Sequence, residues 1–281
     1  EADYEGGALS RKAQHLVHFL RYDINQVALS LSTLKSQFSD YSKRYTKAIS
    51  DEEKQRHLLN YAKELGATPR QIRQDERAFE RWFGHDAVSD RFQRRYLETE
   101  RYLSFLLQCL GWMSTHVLSD NFDNIDYQDL WQSLALEPVI KPLLDYKGDK
   151  RVVISAFNTL AVAIRALPVH LQKGSVTEAS LRFIYHSCFG SQSIWVQCEA
   201  LRLLQSASPE SLKIVLSNRL EHPKGNDDLF VRRKVVQIIV EQLDTEPELE
   251  SLFDLVIKDP CPSVRQKLAE LLSQTKMAVM T

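Results

Sequence analysis

The C-terminal stretch Lys258–Leu272 reads KDPCPSVRQKLAELL. Asp259, Pro260 and Pro262 close whatever precedes them, because proline fixes φ and biases the residue before it away from helix. Val264, Leu268 and Leu272 then recur at helical spacing, so a helix with one buried face starts there. Ahead of the turn, Leu249 to Ile257 is a second amphipathic stretch. The same plan recurs upstream on three further anchors: Val152-x3-Ala156-x3-Leu160, Val196-x3-Ala200-x3-Leu204 and Val231-x3-Val235-x3-Ile239. The four anchors are 44, 35 and 33 residues apart. Each follows a short polar or proline-containing turn, at Gly148-Asp149, Ser191–Ser193, Gly225–Asp228 and Asp259–Ser263. Before the turns stand Leu130–Leu144, Leu181–Ile184, Leu212–Leu220 and Leu249–Ile257. Helix, turn, helix at such a period predicts an α-solenoid, whose helix pairs bury their apolar faces only by stacking on neighbours.

The last unit resembles the second half of a HEAT repeat, with Asp259-Pro260 before Val264-Arg265 and a small Ala269. DLFVRRKVVQII (Asp228–Ile239) keeps Val231-Arg232 but lacks the proline. SIWVQCEALRLL (Ser193–Leu204) keeps Val196 and Ala200 and places Gln197 where the arginine belongs, and the window at Val152 has Arg151 before the valine instead of after it. The resemblance spans about residues 126 to 276. It implies a curved protein-binding scaffold far more than a catalyst, with Asp259 and Arg265 as braces between repeats.

The N-terminal part follows another rule. Ala13, Val17, Leu20, Ile24, Val27, Leu31, Leu34, Phe38, Tyr41, Tyr45 and Ala48 alternate in steps of four and three, a heptad seam that predicts a helix of roughly 35–40 residues. Phe92, Tyr96, Thr99, Leu103, Leu106, Leu110, Met113 and Val117 form a second seam, with Leu107 and Trp112 as extra bulk toward the rest of the fold. An antiparallel hairpin within one chain accommodates both, and a homodimeric coiled coil is the alternative. Ser50 and Glu53 form a capping box for a helix ending at Gly66, and Thr68, Pro69 and Gln71 restart one that runs to Gly84. YAKELGATPRQIRQDER is similar to a DNA-binding helix-turn-helix in Ala62, Gly66 and Ile72, with Arg70, Arg73 and Arg77 on the second helix. Asp75 stands where that family packs an apolar residue, and a short-looped αα-hairpin explains the same residues. The expectation is therefore an all-α chain: a helical bundle built on a long antiparallel hairpin over 1–120, then a HEAT-like solenoid of about four repeats over 126–281.

Charge narrows the function. Lys and Arg number 36 against 37 Asp and Glu, a formal charge of −1, and each half of the chain is balanced. A dedicated polyanion binder is therefore disfavoured. Glycine and proline together total 18 of 281 residues, about half the usual share. Apolar runs such as Leu160–Ile164 are far shorter than the roughly 20 residues that span a bilayer. Cys109, Cys188, Cys198 and Cys261 show no CxxC spacing and read as reduced core thiols of a cytoplasmic protein. The first residue is Glu1 and the terminal TKMAVMT lacks a polar capping pattern, so the natural chain is expected to extend beyond both.

Searching for chemistry yields little. No glycine-rich phosphate loop, GxSxG or HExxH is present, and SDNFDNIDYQD (Ser119–Asp129) lacks the spacing of an EF-hand loop. His15 and His18 are three apart but lie off the seam with no third ligand, and His186 and Cys188 diverge on their helix. No catalytic residue, cofactor or metal site is assigned. In HEAT-like stacks the second helices line the concave face, and here they carry Arg202, Arg232, Arg233, Lys234, Arg265 and Lys267 beside Glu199, Glu241 and Glu270. Trp195 opens its helix where packing has no evident need of an aromatic. These residues suggest a non-enzymatic interaction scaffold or adaptor that binds a protein, through an acidic surface on that partner. The alternative is a HEAT-like nucleic-acid-binding protein, repair glycosylases included, and a third reading is an accessory to an enzyme such as a pigment lyase. No membrane insertion is expected, and the oligomeric state is open.

Overall fold

The structure, a computed structural model, describes residues 2–64, 66, 84–119, 126–190, 193–224 and 228–279, with side chains described only from 11 to 274. It is all-α, and no strand occurs among the described residues. The helix expected from Thr68 to Gly84, and with it Ile72 and the arginines of the helix-turn-helix resemblance, lies outside the described residues.

By internal contacts the chain forms two compact units, Glu1–Arg21 with Leu107–Thr281, and Tyr22–Leu106. This partition differs from the expected 1–120 and 126–281 because each of the two long helices contributes a stretch to both units.

In the Tyr22–Leu106 unit, parts of α1 (Ala2–Lys47) and α3 (His85–Ser119) flank α2 (Asp51–Glu64). Phe38 stacks on Phe92 with centroids 4.0 Å apart, and Tyr45 stacks on His85 at 4.2 Å. Residue numbers thus fall along α1 as they rise along α3, which is the antiparallel hairpin within one chain. Ile24, Leu31 and Tyr41 of the first seam are buried, and so are Phe92, Leu103 and Leu106 of the second. Tyr41 also stacks on Tyr61 of α2 at 4.5 Å, so the aromatic end of the seam closes over the short helix. The cap at Ser50 forms: its hydroxyl accepts from Glu53 N at 3.2 Å, and the Glu53 carboxylate accepts from Ile49 N at 3.2 Å.

The larger unit is a ladder of helix pairs. After α4 (Tyr127–Leu134) come α5 (Leu136–Leu144) with α6 (Lys150–Ala166), the short α7 (Val169–Gln172), α8 (Glu178–Gly190) with α9 (Ile194–Ala207), and α10 (Pro209–Glu221) with α11 (Leu229–Gln242). A 3-10 turn (Pro247–Leu252) and α12 (Phe253–Ile257) pair with α13 (Pro262–Val279). Within each pair the two helices touch. Between pairs, α6, α9, α11 and α13 touch in succession, and so do α8, α10 and α12. This two-row stacking is solenoid-like, in the register expected from the sequence. The anchors Val152, Val196, Val231 and Val264 are all buried, as are Ala156, Ala200, Val235 and Leu268 one turn on. Each pair thus offers its anchor row to the next, a burial no pair achieves alone.

Local chemistry sets the ends. Asp126 and Asp149 cap α4 and α6, each carboxylate accepting a backbone N–H at 2.8 Å, and α6 stops at Leu167 because Pro168 follows. Where α3 meets α6, Thr159 Oγ1 donates to Leu107 O at 2.7 Å and Gly111 lets the backbones approach. Trp112, expected to face the fold, is 74% exposed, because Leu107, Leu110 and Ser114 take the buried side of its helix. Among the described residues no helix is long and apolar enough to cross a membrane. All four cysteines are unpaired; only Cys188 is fully buried, and the other three are half-buried.

Candidate binding face

The position directly after three of the four anchor valines carries a polar clasp, and after Val152 it is the buried, apolar Val153. Arg232 follows Val231 and has no solvent exposure. Its Nε donates to Asp259 Oδ2 at 2.8 Å across to the next turn, and its guanidinium also donates to Asp228 at the start of its own helix. Gln197 follows Val196 and accepts at Oε1 from the buried Arg219 of α10 at 2.7 Å. Arg219 also donates to Cys188 O, so one guanidinium joins α8, α9 and α10. Arg265 follows Val264 and donates to the Asp259 carbonyl. A buried guanidinium is tolerated only where carboxylates or carbonyls replace its water; the carboxylates of Asp228 and Asp259 do so for Arg232, and two carbonyl oxygens meet Arg219, whose Nε is left without a partner among the described residues.

Two residues proposed as partner contacts are therefore reassigned. Arg232 is a buried tie between successive helix pairs with no surface to offer. Arg265 is exposed but spends its guanidinium on the turn beneath it. Arg233, one residue further round α11 and half-exposed, is off the row described next.

Trp195, Arg202, Lys234 and Lys267 are brought onto one face. On α9, Trp195, Glu199 and Arg202 follow at i, i+4 and i+7, and on α11 Phe230, Lys234, Gln237 and Glu241 continue the rule. On α6, Arg151, Asn158 and Arg165 recur every seven residues. Asn158 Nδ2 donates to Glu199 at 3.4 Å, tying the α6 row to the α9 row, and Arg202 pairs with Glu199 at 2.9 Å. Trp195 and Phe230 meet across the two helices with centroids 6.4 Å apart. Both rings stay open to solvent, at 60% and 55% exposure. Lys267, at the position in α13 equivalent to Lys234, sits 3.9 Å from Glu270.

Arg165, Arg202 and Lys234 share one electrostatic environment with Glu199 and Glu241. Partial burial, and then the Arg202 charge, lower both the Arg165 guanidinium and the Lys234 ammonium below their ordinary values, while the two carboxylates pull the other way. Three cations against two carboxylates leave a positive excess. Glu199 is engaged by Arg202 and Asn158, and Glu241 accepts from Gln237 at 2.5 Å. Among the described residues Arg165 and Lys234 make no ion pair.

Sequence reasoning missed Phe230 and Arg165. Phe230 was open to discovery, since aligning the anchors puts it and Trp195 at the same place, one residue before the valine. Arg165 was not, because its closeness to Arg202 depends on how α6 lies against α9. Burial pushes the Cys188 thiol up to about 12, the opposite of an activated nucleophile, and His15 and His18 stand exposed on their helix. No family model, curated protein or solved structure matches the chain.

Proposed function

We propose that this chain is a non-enzymatic scaffold of HEAT-like repeats that binds a protein partner on the row formed by its second helices. The observation that carries the reading is the exposed Trp195–Phe230 pair, set at equivalent places of two successive repeats. A solenoid row needs apolar residues on its stacking side. Two large aromatics on the solvent side serve no neighbour, and tryptophan and arginine are the residue types that dominate protein-interface energetics. The repeat reading draws support from the Val-Arg and Asp-Pro positions and from the Arg232–Asp259 tie between consecutive units. The four unpaired thiols fit a cytoplasmic setting.

The test is affinity capture from the source lysate with the wild-type chain and with a Trp195→Ala/Phe230→Ala variant of unchanged melting temperature. The reading expects a stoichiometric protein that survives nuclease and is lost by the variant. Recovery of nucleic acid alone, or of a partner indifferent to both aromatics, overturns it.

A further inference from the structure

The five charges beside the aromatic pair say what kind of partner segment the face takes. Arg202 lies one turn beyond Glu199 and two turns beyond Trp195 on α9, and Lys234 lies one turn beyond Phe230 on α11. Arg165 reaches the same region from α6. An aromatic platform and a group of cations therefore stand in order along three adjacent helices. Both carboxylates of the group already hold protein donors, whereas Arg165 and Lys234 hold no anion among the described residues. Like charges gathered on a partly dehydrated surface repel each other, and an incoming carboxylate relieves that repulsion and gains the charge-assisted hydrogen bonds left unused.

We propose that the Trp195–Phe230 platform with Arg165, Arg202 and Lys234 binds an acidic peptide segment, one large apolar side chain packing on the two rings and neighbouring Asp or Glu side chains reaching the three cations. This rests on the scaffold reading above and specifies its ligand. A nucleic-acid strand fits less well, since Glu199 and Glu241 stand among the cations and would face its continuous phosphates, and since the chain as a whole carries a charge of −1.

A random peptide library displayed on phage, selected against the full chain in buffer of 0.1 M salt, tests the composition directly. The expected result is enrichment of peptides carrying Asp or Glu within about four residues of Trp, Phe, Leu or Met, since that spacing spans neighbouring turns. Synthetic copies of the enriched peptides should lose at least tenfold in affinity on Trp195→Ala and on Arg202→Glu/Lys234→Glu, each variant first shown to melt within a few degrees of wild type. A Lys-for-Glu copy should regain binding on the charge-reversed variant. Neutral or basic peptides that still require Trp195 would overturn the acidic assignment and leave the scaffold reading standing. A selection that enriches nothing dependent on this face would overturn both, and displacement of the enriched peptides by a single-stranded oligothymidylate at lower concentration than by an acidic competitor would also overturn the assignment, in favour of a strand.

Discussion

Arg232 brings a full charge into a place without water, and Asp228 and Asp259 make that tolerable. Removing one partner of such a group leaves the others buried and uncompensated, at a cost of about 3–5 kcal/mol. Asp259→Asn and Arg232→Met are each expected to lower the unfolding free energy by roughly that amount in urea titrations. An effect below about 1 kcal/mol, the range of an exposed pair, would show that the tie is not structural. Cys188 gives a second residue-scale expectation. Burial raises its thiol from the ordinary 9.0 to about 12, so the folded chain holds this proton more tightly than the unfolded chain. Stability linked to this group is complete below pH 9 and falls as pH rises from 9 toward 12. The alkaline loss of stability should be shallower in Cys188→Ala. In native chain at pH 7, iodoacetamide should label Cys188 last of the four cysteines, as read by peptide mass spectrometry. The residue scale is also where sequence reading went astray. Val-Arg marked Arg232 and Arg265 as one kind of residue, yet a basic residue on a second helix looks like surface until its partner, 27 residues downstream at Asp259, is brought beneath it.

Elements were more legible, since hydrophobic period reports burial directly. The residues of both heptad seams and of all four anchor rows are buried or half-buried, on the inner side of their helices as their spacing required. What period does not report is which neighbour a face meets, and Trp112 was misplaced for that reason. Gly111 shows the same limit: mid-helix it reads as a weak spot, whereas it sits where α3 crosses α6. A Cβ there would lie 3.1 Å from Thr159 Cα and 3.1 Å from Val162 Cγ2. Two effects oppose each other on replacement. Alanine recovers about 0.5–1 kcal/mol of helix propensity, which offsets part of the crowding. Valine has no such compensation, and overpacking against a backbone atom costs typically about 1–3 kcal/mol. Gly111→Ala is therefore expected near neutral and Gly111→Val clearly destabilised. Equal melting temperatures for valine and wild type would mean that the crossing is looser than its geometry.

For the whole molecule, repeat stacking supplies a row of solvent-facing residues that no single helix pair possesses. Its make-up, two open aromatics and a slight positive excess within a chain of charge −1, predicts modest electrostatics. Between 50 and 200 mM salt the affinity for a captured partner should fall by no more than about tenfold, against the ~10³–10⁵ expected of a chain gripping six to ten phosphates. A steep slope would shift the reading to nucleic acid. Charge counting suggested this outcome from the start; aligning the anchors could have matched Phe230 to Trp195, but that the two rings meet across their helices and stay open became visible only once the repeats were stacked.

The most direct measurement is the dissociation constant of the captured protein partner, by calorimetry, for wild type and for Trp195→Ala/Phe230→Ala at matched stability. The account predicts a loss of about 30-fold or more, since truncating even one central aromatic of an interface costs about 2 kcal/mol or more. An unchanged constant would contradict the claim that the second-helix row is where this scaffold binds.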